Sequence, residues 1–245
     1  MSNSATAKTS TTASSPNSTS SPPPDQMTVE DWAPPAVPKL PLSQVRAQQE
    51  PIEIVACGAL AAHIREIAAR RGWPVVIRPL SAALHNRPAK IKDHSERKLL
   101  TAQAHGSSAV IGYADCGTYG ALDTLAEKWD AQRLPGLHCY DLYAGEAQIE
   151  QLFNEEPGTY LLTDYLIRSF DKAVIKPLGL DRHPELWADY FAHYTRVVWL
   201  AQQATAELEA AATRIAGQFN LPLTRIDTGI KGLEAALARV IEPPS

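Results

Sequence analysis

Cys57, Cys116 and Cys139 are the chain's only cysteines, and each stands in a stretch of the same kind. Cys57 closes the apolar run IEIVAC before Gly58, Cys116 follows AVIGYAD before Gly117, and Cys139 follows LPGLH before Tyr140 and Asp141. Such runs read as buried strands. The three thiols are therefore expected at or just beyond the C-terminal ends of parallel strands. In an open α/β sheet those ends share one edge, where ligands bind. The thiols lie too far apart in sequence for a local CxxC knuckle, so three neighbouring βα units would each supply one ligand.

Three thiolates with an open position suit two metal centres. A [4Fe–4S] cluster on three cysteines leaves one iron free to bind substrate as a Lewis acid. Zinc with three cysteines and a histidine would be closed and structural, whereas three cysteines plus water or a substrate thiol would be open. His85 and His138 are the fourth ligands within reach. Gly58 and Gly117 leave room for a bulky group, which favours the cluster. Two other readings remain. Free cysteine is among the most buried residue types and packs as a small hydrophobe. One of the three could instead be a low-pKa nucleophile, with His138 or His85 as its base.

More polar residues fall on the same edge. In LHNRP (84–88), after the second strand, His85 could donate a proton and Arg87 pair a carboxylate, with Asn86 between them. The same residues also read as a helix start, Asn86 as cap and Pro88 in the first turn. Tyr113 and Asp115 straddle the end of the third strand, and His138 and Asp141 flank Cys139. The expected acid–base set is thus His85, Asp115, His138 and Asp141. The expected substrate contacts are Asn86, Arg87, Tyr113, Thr163 and Asp164, although Thr163-Asp164 is most simply an N-cap. His63, His94 and His105 are expected on helix surfaces.

The elements that must position these residues alternate. Strand-like runs at IEIVAC, PVVIRPL, SAVIGYA, RLPGLHC and TYLLT are separated by helical patterns, the signature of βαβ units. The expected fold is α/β: a parallel Rossmann-like sheet of about four to five strands over residues 46–180, with flanking helices. After Asp181 the pattern reads as helices only, over 181–245, packed on the same domain. There Leu186, Tyr190, Tyr194, Val197 and Ala201 fall on one face of a long helix that could mediate a homo-oligomer. Trp187, Tyr190, Phe191 and Tyr194 make an aromatic stripe that reads as core or as a docking face. Residues 1–45 are expected to be a disordered tail. The first 24 residues hold eight Ser, five Thr and four Pro, with no apolar h-region of a secretory signal and no arginine.

With 245 residues, 44% hydrophobic and 20% charged, the composition is that of a globular domain. A net charge of −4 carries no basic footprint for nucleic acid. Nothing approaches a membrane span. Three cysteines are an odd number for a disulfide framework, and a reducing cytoplasm is the expected compartment.

VACGAL, ALHNRPAKI, IGYADCG, LPGLHCYD, EPGTYLLTDYLIRSFD and LGLDRHPELWADYF occur in that order. Together they resemble the domain-of-unknown-function family 1638, from about Ile52 to Glu234. The family pattern falls on Cys57, His85, Pro88, Tyr113, Cys116, Gly117, His138, Cys139 and Asp141. Asp115 departs from it, which implies a subgroup with a different ligand. Members of this family tend to be encoded near corrinoid-dependent methyltransferases acting on methylamines or betaines. The resemblance therefore implies a partner in that system and a role in one-carbon metabolism. DRHPELW lacks the glycine of a corrinoid-carrier motif, so the chain is not expected to carry cobalamin itself. The expected function is a metalloprotein acting on a small polar substrate or assisting that system. The alternatives are a non-catalytic docking protein and a cysteine enzyme without metal.

Overall fold

The computed structural model describes residues 51–242; the tail expected over 1–45 lies outside them. The described chain contains two all-parallel sheets. The first has the order β2-β1-β3-β4, from β1 (Ile52–Cys57), β2 (Val75–Leu80), β3 (Ala109–Gly112) and the two-residue β4 (Gln132–Arg133). Its helices are α1 (Ala61–Arg71), α2 (Ala89–Ala104) and α3 (Ala121–Trp129). Two more helices, α4 (Cys139–Ala144) and α5 (Glu146–Glu155), lead to the second sheet. That sheet has the order β5-β6-β7, from β5 (Thr159–Thr163), β6 (Arg196–Ala201) and β7 (Leu223–Asp227).

After β5, α6 (Asp164–Phe170) runs through a π-helical turn (Asp171–Ile175) into α7 (Lys176–Leu178). Helix α8 (Trp187–Phe191) precedes β6, α9 (Ala206–Phe219) links β6 to β7, and α10 (Lys231–Ile241) follows. None of the described helices is long and apolar enough to cross a membrane.

Both sheets form for the reason parallel sheets generally do: their inner strands β1 and β6 are largely apolar and buried between flanking helices, while the edge strands β2, β4 and β7 are more exposed. Every residue of β1 is buried, as are five of the six in β6. Helix α10 returns to the first sheet, where Leu233 and Leu237 are fully buried in its core. It also sits close to α4: a Cβ at Gly232 would meet the Leu142 carbonyl oxygen at 2.6 Å. Only glycine allows that approach.

The α/β class with parallel sheets matches the expectation, but the strands divide between two sheets. TYLLT pairs with β6 rather than joining the first sheet. The long helix expected beyond Asp181 is absent, because RVVWLA is strand β6. The three-and-four spacing from Leu186 to Ala201 is overridden by a run of β-branched and aromatic residues that pack well on a pleated surface. The fourth strand is also shorter and earlier than expected. Pro135 and Gly136 lie beyond it, where proline has no N–H to give a ladder.

One buried carboxylate ties the first sheet together. Glu53, 2% exposed, accepts from Arg78 Nε (2.9 Å) and a second guanidinium nitrogen (3.1 Å), and pairs with His105 Nδ1 (2.9 Å). The Arg78 hydrogen bonds hold its carboxyl below the usual range in spite of burial. A lowered folded pKa stabilises above the unfolded value and loses that stabilisation as pH falls through the folded one. Arg78 and His105 are substantially exposed, so solvent screens the pair. Glu53→Gln should therefore cost only about 1–2 kcal/mol near neutrality. In urea unfolding, the gap to wild type should close below about pH 4.

Candidate three-cysteine site

Cys57 ends β1 and is fully buried, in register with Leu80 of β2. Next to it Ala56 pairs with Gly112, so β3 ends on the same edge. The chain leaving β3 turns through left-handed conformations at Cys116 (φ 52°), Gly117 (φ 78°), Tyr119 (φ 52°) and Gly120 (φ 82°). Two of those four are not glycine, a strained arrangement that needs outside support.

Asp115 supplies the support. Its carboxylate accepts from the backbone N–H groups of Gly117 (3.1 Å), Tyr119 (3.1 Å) and Gly120 (2.8 Å), and from the Thr118 hydroxyl (3.0 Å). Burial pushes its pKa up, but these donors prevail and hold it below the usual carboxylate range.

The Cys116 loop is pinned to the Cys139 loop. Asp115 N–H donates to the Gly136 carbonyl (3.0 Å) and Cys116 N–H to the Leu137 carbonyl (2.8 Å). Asp141 then fixes the start of α4, accepting from the N–H groups of Leu137 and His138, both at 2.8 Å. Asp115 and Asp141, expected as acid–base groups, thus face backbone donors and hold the two cysteine loops in place. His138 is exposed and stacks on Tyr140, with ring centroids 6.3 Å apart.

Cys57 and Cys116 belong to one apolar cluster, and Cys139 packs against it. Burial pushes all three thiols up, Cys116 to about 12; charge on Cys57 would raise Cys116 further, and charge on either would raise Cys139. As free thiols they are protonated at neutral pH, the opposite of a nucleophile activated by a lowered pKa.

Two orphaned polar atoms adjoin the thiols. Tyr113 is fully buried, and its hydroxyl, beside Cys57, has no partner of standard hydrogen-bond geometry. The His85 ring stacks on Tyr113 at 6.3 Å. His85 Nδ1 lies 3.0 Å from the Ala82 carbonyl oxygen, which can only accept, so Nδ1 carries the hydrogen. Nε2 is left as a buried lone pair without a partner.

A cleft of ≈ 420 Å³ opens beside these groups. It is walled on one side by Ala59, Ser81, His85, Asn86, Cys139 and Tyr140, and on the other by Thr163 and residues of α6 and the π turn. It therefore lies at the C-terminal ends of strands from both sheets, where parallel α/β folds place ligands. Arg87 is exposed and does not line it. Thr163 is an N-cap, accepting from Leu166 N–H at 3.2 Å. Asp164 is fully buried and turned away, its oxygens taken by Trp199 Nε1 (2.8 Å) and the N–H groups of Gln202 (3.2 Å) and Gln203 (2.7 Å).

Sequence reading missed several residues here. His63 is not at the surface: 8% exposed, it lies 2.8 Å from the Tyr143 hydroxyl through Nδ1, and burial lowers its pKa. The available signal was its place four residues before Ile67 on the buried face of α1. Tyr143 stands four residues after Cys139, so the two share one face of α4. The aromatic stripe is chiefly core: Trp187, Phe191 and Tyr194 surround Phe219 at 5.0, 4.8 and 6.5 Å, and only Tyr190 is exposed.

Among the described residues, no group of three or more His, Cys, Asp and Glu side chains is placed to hold a metal ion. The thiols share a region without closing on a point.

No curated protein and no solved structure matches the chain. A family model described as "Protein of unknown function (DUF1638)" matches residues 79–237, a span that takes in His85, Cys116 and Cys139 and leaves Cys57 upstream. The chain belongs to that family.

Proposed function

We propose that the protein is a metalloprotein in which Cys57, Cys116 and Cys139 hold an iron–sulfur cluster beside a cleft for a small polar molecule. One observation carries the reading. Buried Cys57 and Cys116 and partly buried Cys139, which packs against their cluster, follow the neighbouring strands β1, β3 and β4, alongside an imidazole whose buried Nε2 has no partner and a phenol whose hydroxyl lies beside Cys57. Buried polar groups are nearly always satisfied, so the unpartnered His85 Nε2 beside these thiols supports a missing occupant.

A cluster is favoured over a single ion because the three cysteines stand on separate segments of the chain. Zinc at about 2.3 Å from each sulfur needs its thiolates within roughly 4 Å of one another. That close grouping is not found among the described residues. A cluster distributes its cysteines over several irons. When bound through three cysteines, it supplies an iron with an open position.

The chain's own groups would do the rest. Asp115 and Asp141 hold the two cysteine loops in register. His85 Nε2 offers a lone pair to a proton on the bound molecule, and the Ala82 carbonyl fixes its tautomer. Tyr140 and Tyr165 line the cleft with aromatic carbon. The family resemblance adds a partner for the proposal, a corrinoid methyltransferase system, with methylated amines and betaines as first compounds to try.

The test is the visible spectrum of protein purified without oxygen. A broad thiolate-to-iron absorption that bleaches on reduction with dithionite supports the proposal. A colourless, folded protein that stays colourless after incubation with iron and sulfide overturns it.

A further inference from the structure

The cleft itself indicates what it holds. Of its lining side chains, Lys172 alone carries a formal charge, and no aspartate or glutamate is among them. Lys172 lies in the π turn, has no ion-pair partner among the described residues, and is exposed. Its neighbour Lys176, by contrast, pairs with Asp171 at 3.2 Å. Wide π turns inside helices occur frequently at functional sites. Across the cleft, His85 Nε2 is fixed as an acceptor by the bond from Nδ1 to Ala82. The ≈ 420 Å³ volume suits a small molecule.

We propose that this cleft binds a small hydroxycarboxylate, its carboxylate on Lys172 and its hydroxyl donating to His85 Nε2. A single lysine with no arginine matches a monoanion better than a phosphate dianion, which recruits several donors. With no carboxylate in the lining, the ammonium of an amino acid would have no charged partner, so a hydroxyl is the better donor for Nε2. The rest of the lining, largely alanine, leucine, valine and tyrosine carbon, accepts a short branched alkyl body. The inference deepens the proposed function by naming its substrate class, and it rests on that reading for the cleft's role.

The experiment is calorimetric titration of the full chain with 2-hydroxyisovalerate, isovalerate and inorganic phosphate, with iron measured on the same samples. 2-Hydroxyisovalerate should bind, with isovalerate and phosphate each about tenfold weaker or more. Lys172→Met should weaken 2-hydroxyisovalerate about tenfold, while Lys176→Met leaves it unchanged. His85→Phe, which keeps the ring stack, should erase the preference for the hydroxyl. No saturable binding, tighter binding of phosphate, or equal losses in the two lysine variants would each overturn the inference. Binding that persists in iron-free protein supports the hydroxycarboxylate site whatever the fate of the cluster, since neither Lys172 nor His85 is a cluster ligand.

Discussion

Serine at position 57, 116 or 139 should each remove most of the bound iron, with losses of similar size at all three sites. On the proposed reading the three thiols form one ligand set, so deleting any one would leave a centre held at two points. Serine at the fully buried Cys57 also places a hydroxyl in an apolar cluster, at a cost of about 1–3 kcal/mol. Alanine variants at the same positions, checked for folding by circular dichroism, separate loss of the ligand from loss of the fold. The pattern across positions discriminates between readings. If one position matters and two are silent, the site is a thiol nucleophile, in conflict with the upward push that burial gives all three thiols. If none matters, the cysteines are packing residues.

Removing the Asp164 carboxylate should produce the largest loss of stability in the second sheet. Asp164→Ala leaves the Trp199 indole N–H and the Gln202 and Gln203 amides without their acceptor. Trp199 is fully buried at the centre of that core, so water cannot readily replace the lost oxygen. Stranding buried donors in this way costs about 3 kcal/mol. Asp164→Asn keeps one acceptor oxygen and should cost roughly half as much. Chemical denaturation followed by tryptophan fluorescence measures both. A loss under about 1 kcal/mol for alanine would mean that water reaches the network and that Asp164 does not hold β5 to β6.

Much of the first sheet was legible because its strands are unbroken apolar runs ending in small residues. IEIVAC and AVIG have no reading as exposed helices, and their ends placed Cys57 and Cys116 on one edge. Cys139 was placed on that edge for a partly different reason. It opens α4 rather than closing a strand, and reaches the site because the backbone of Gly136 and Leu137 bonds to the Cys116 loop.

Of the second sheet only β5 was legible; β6 was not, since Val197 and Ala201 fit a helical face as well as a strand, and periodicity cannot arbitrate short apolar runs. The roles of Asp115 and Asp141 were also hidden. A carboxylate beside a cysteine reads as chemistry, and only the fold shows its oxygens facing backbone N–H groups. Lys172 could not be found from sequence at all. Its position depends on a π turn that brings the end of α6 against the loops of the other sheet.

The most direct measurement is the iron and acid-labile sulfide content of the full chain purified and assayed without oxygen. The account predicts about four of each per chain, as a [4Fe–4S] cluster requires. Folded protein with neither iron nor sulfide after reconstitution, or with stoichiometric zinc and no sulfide, would contradict it.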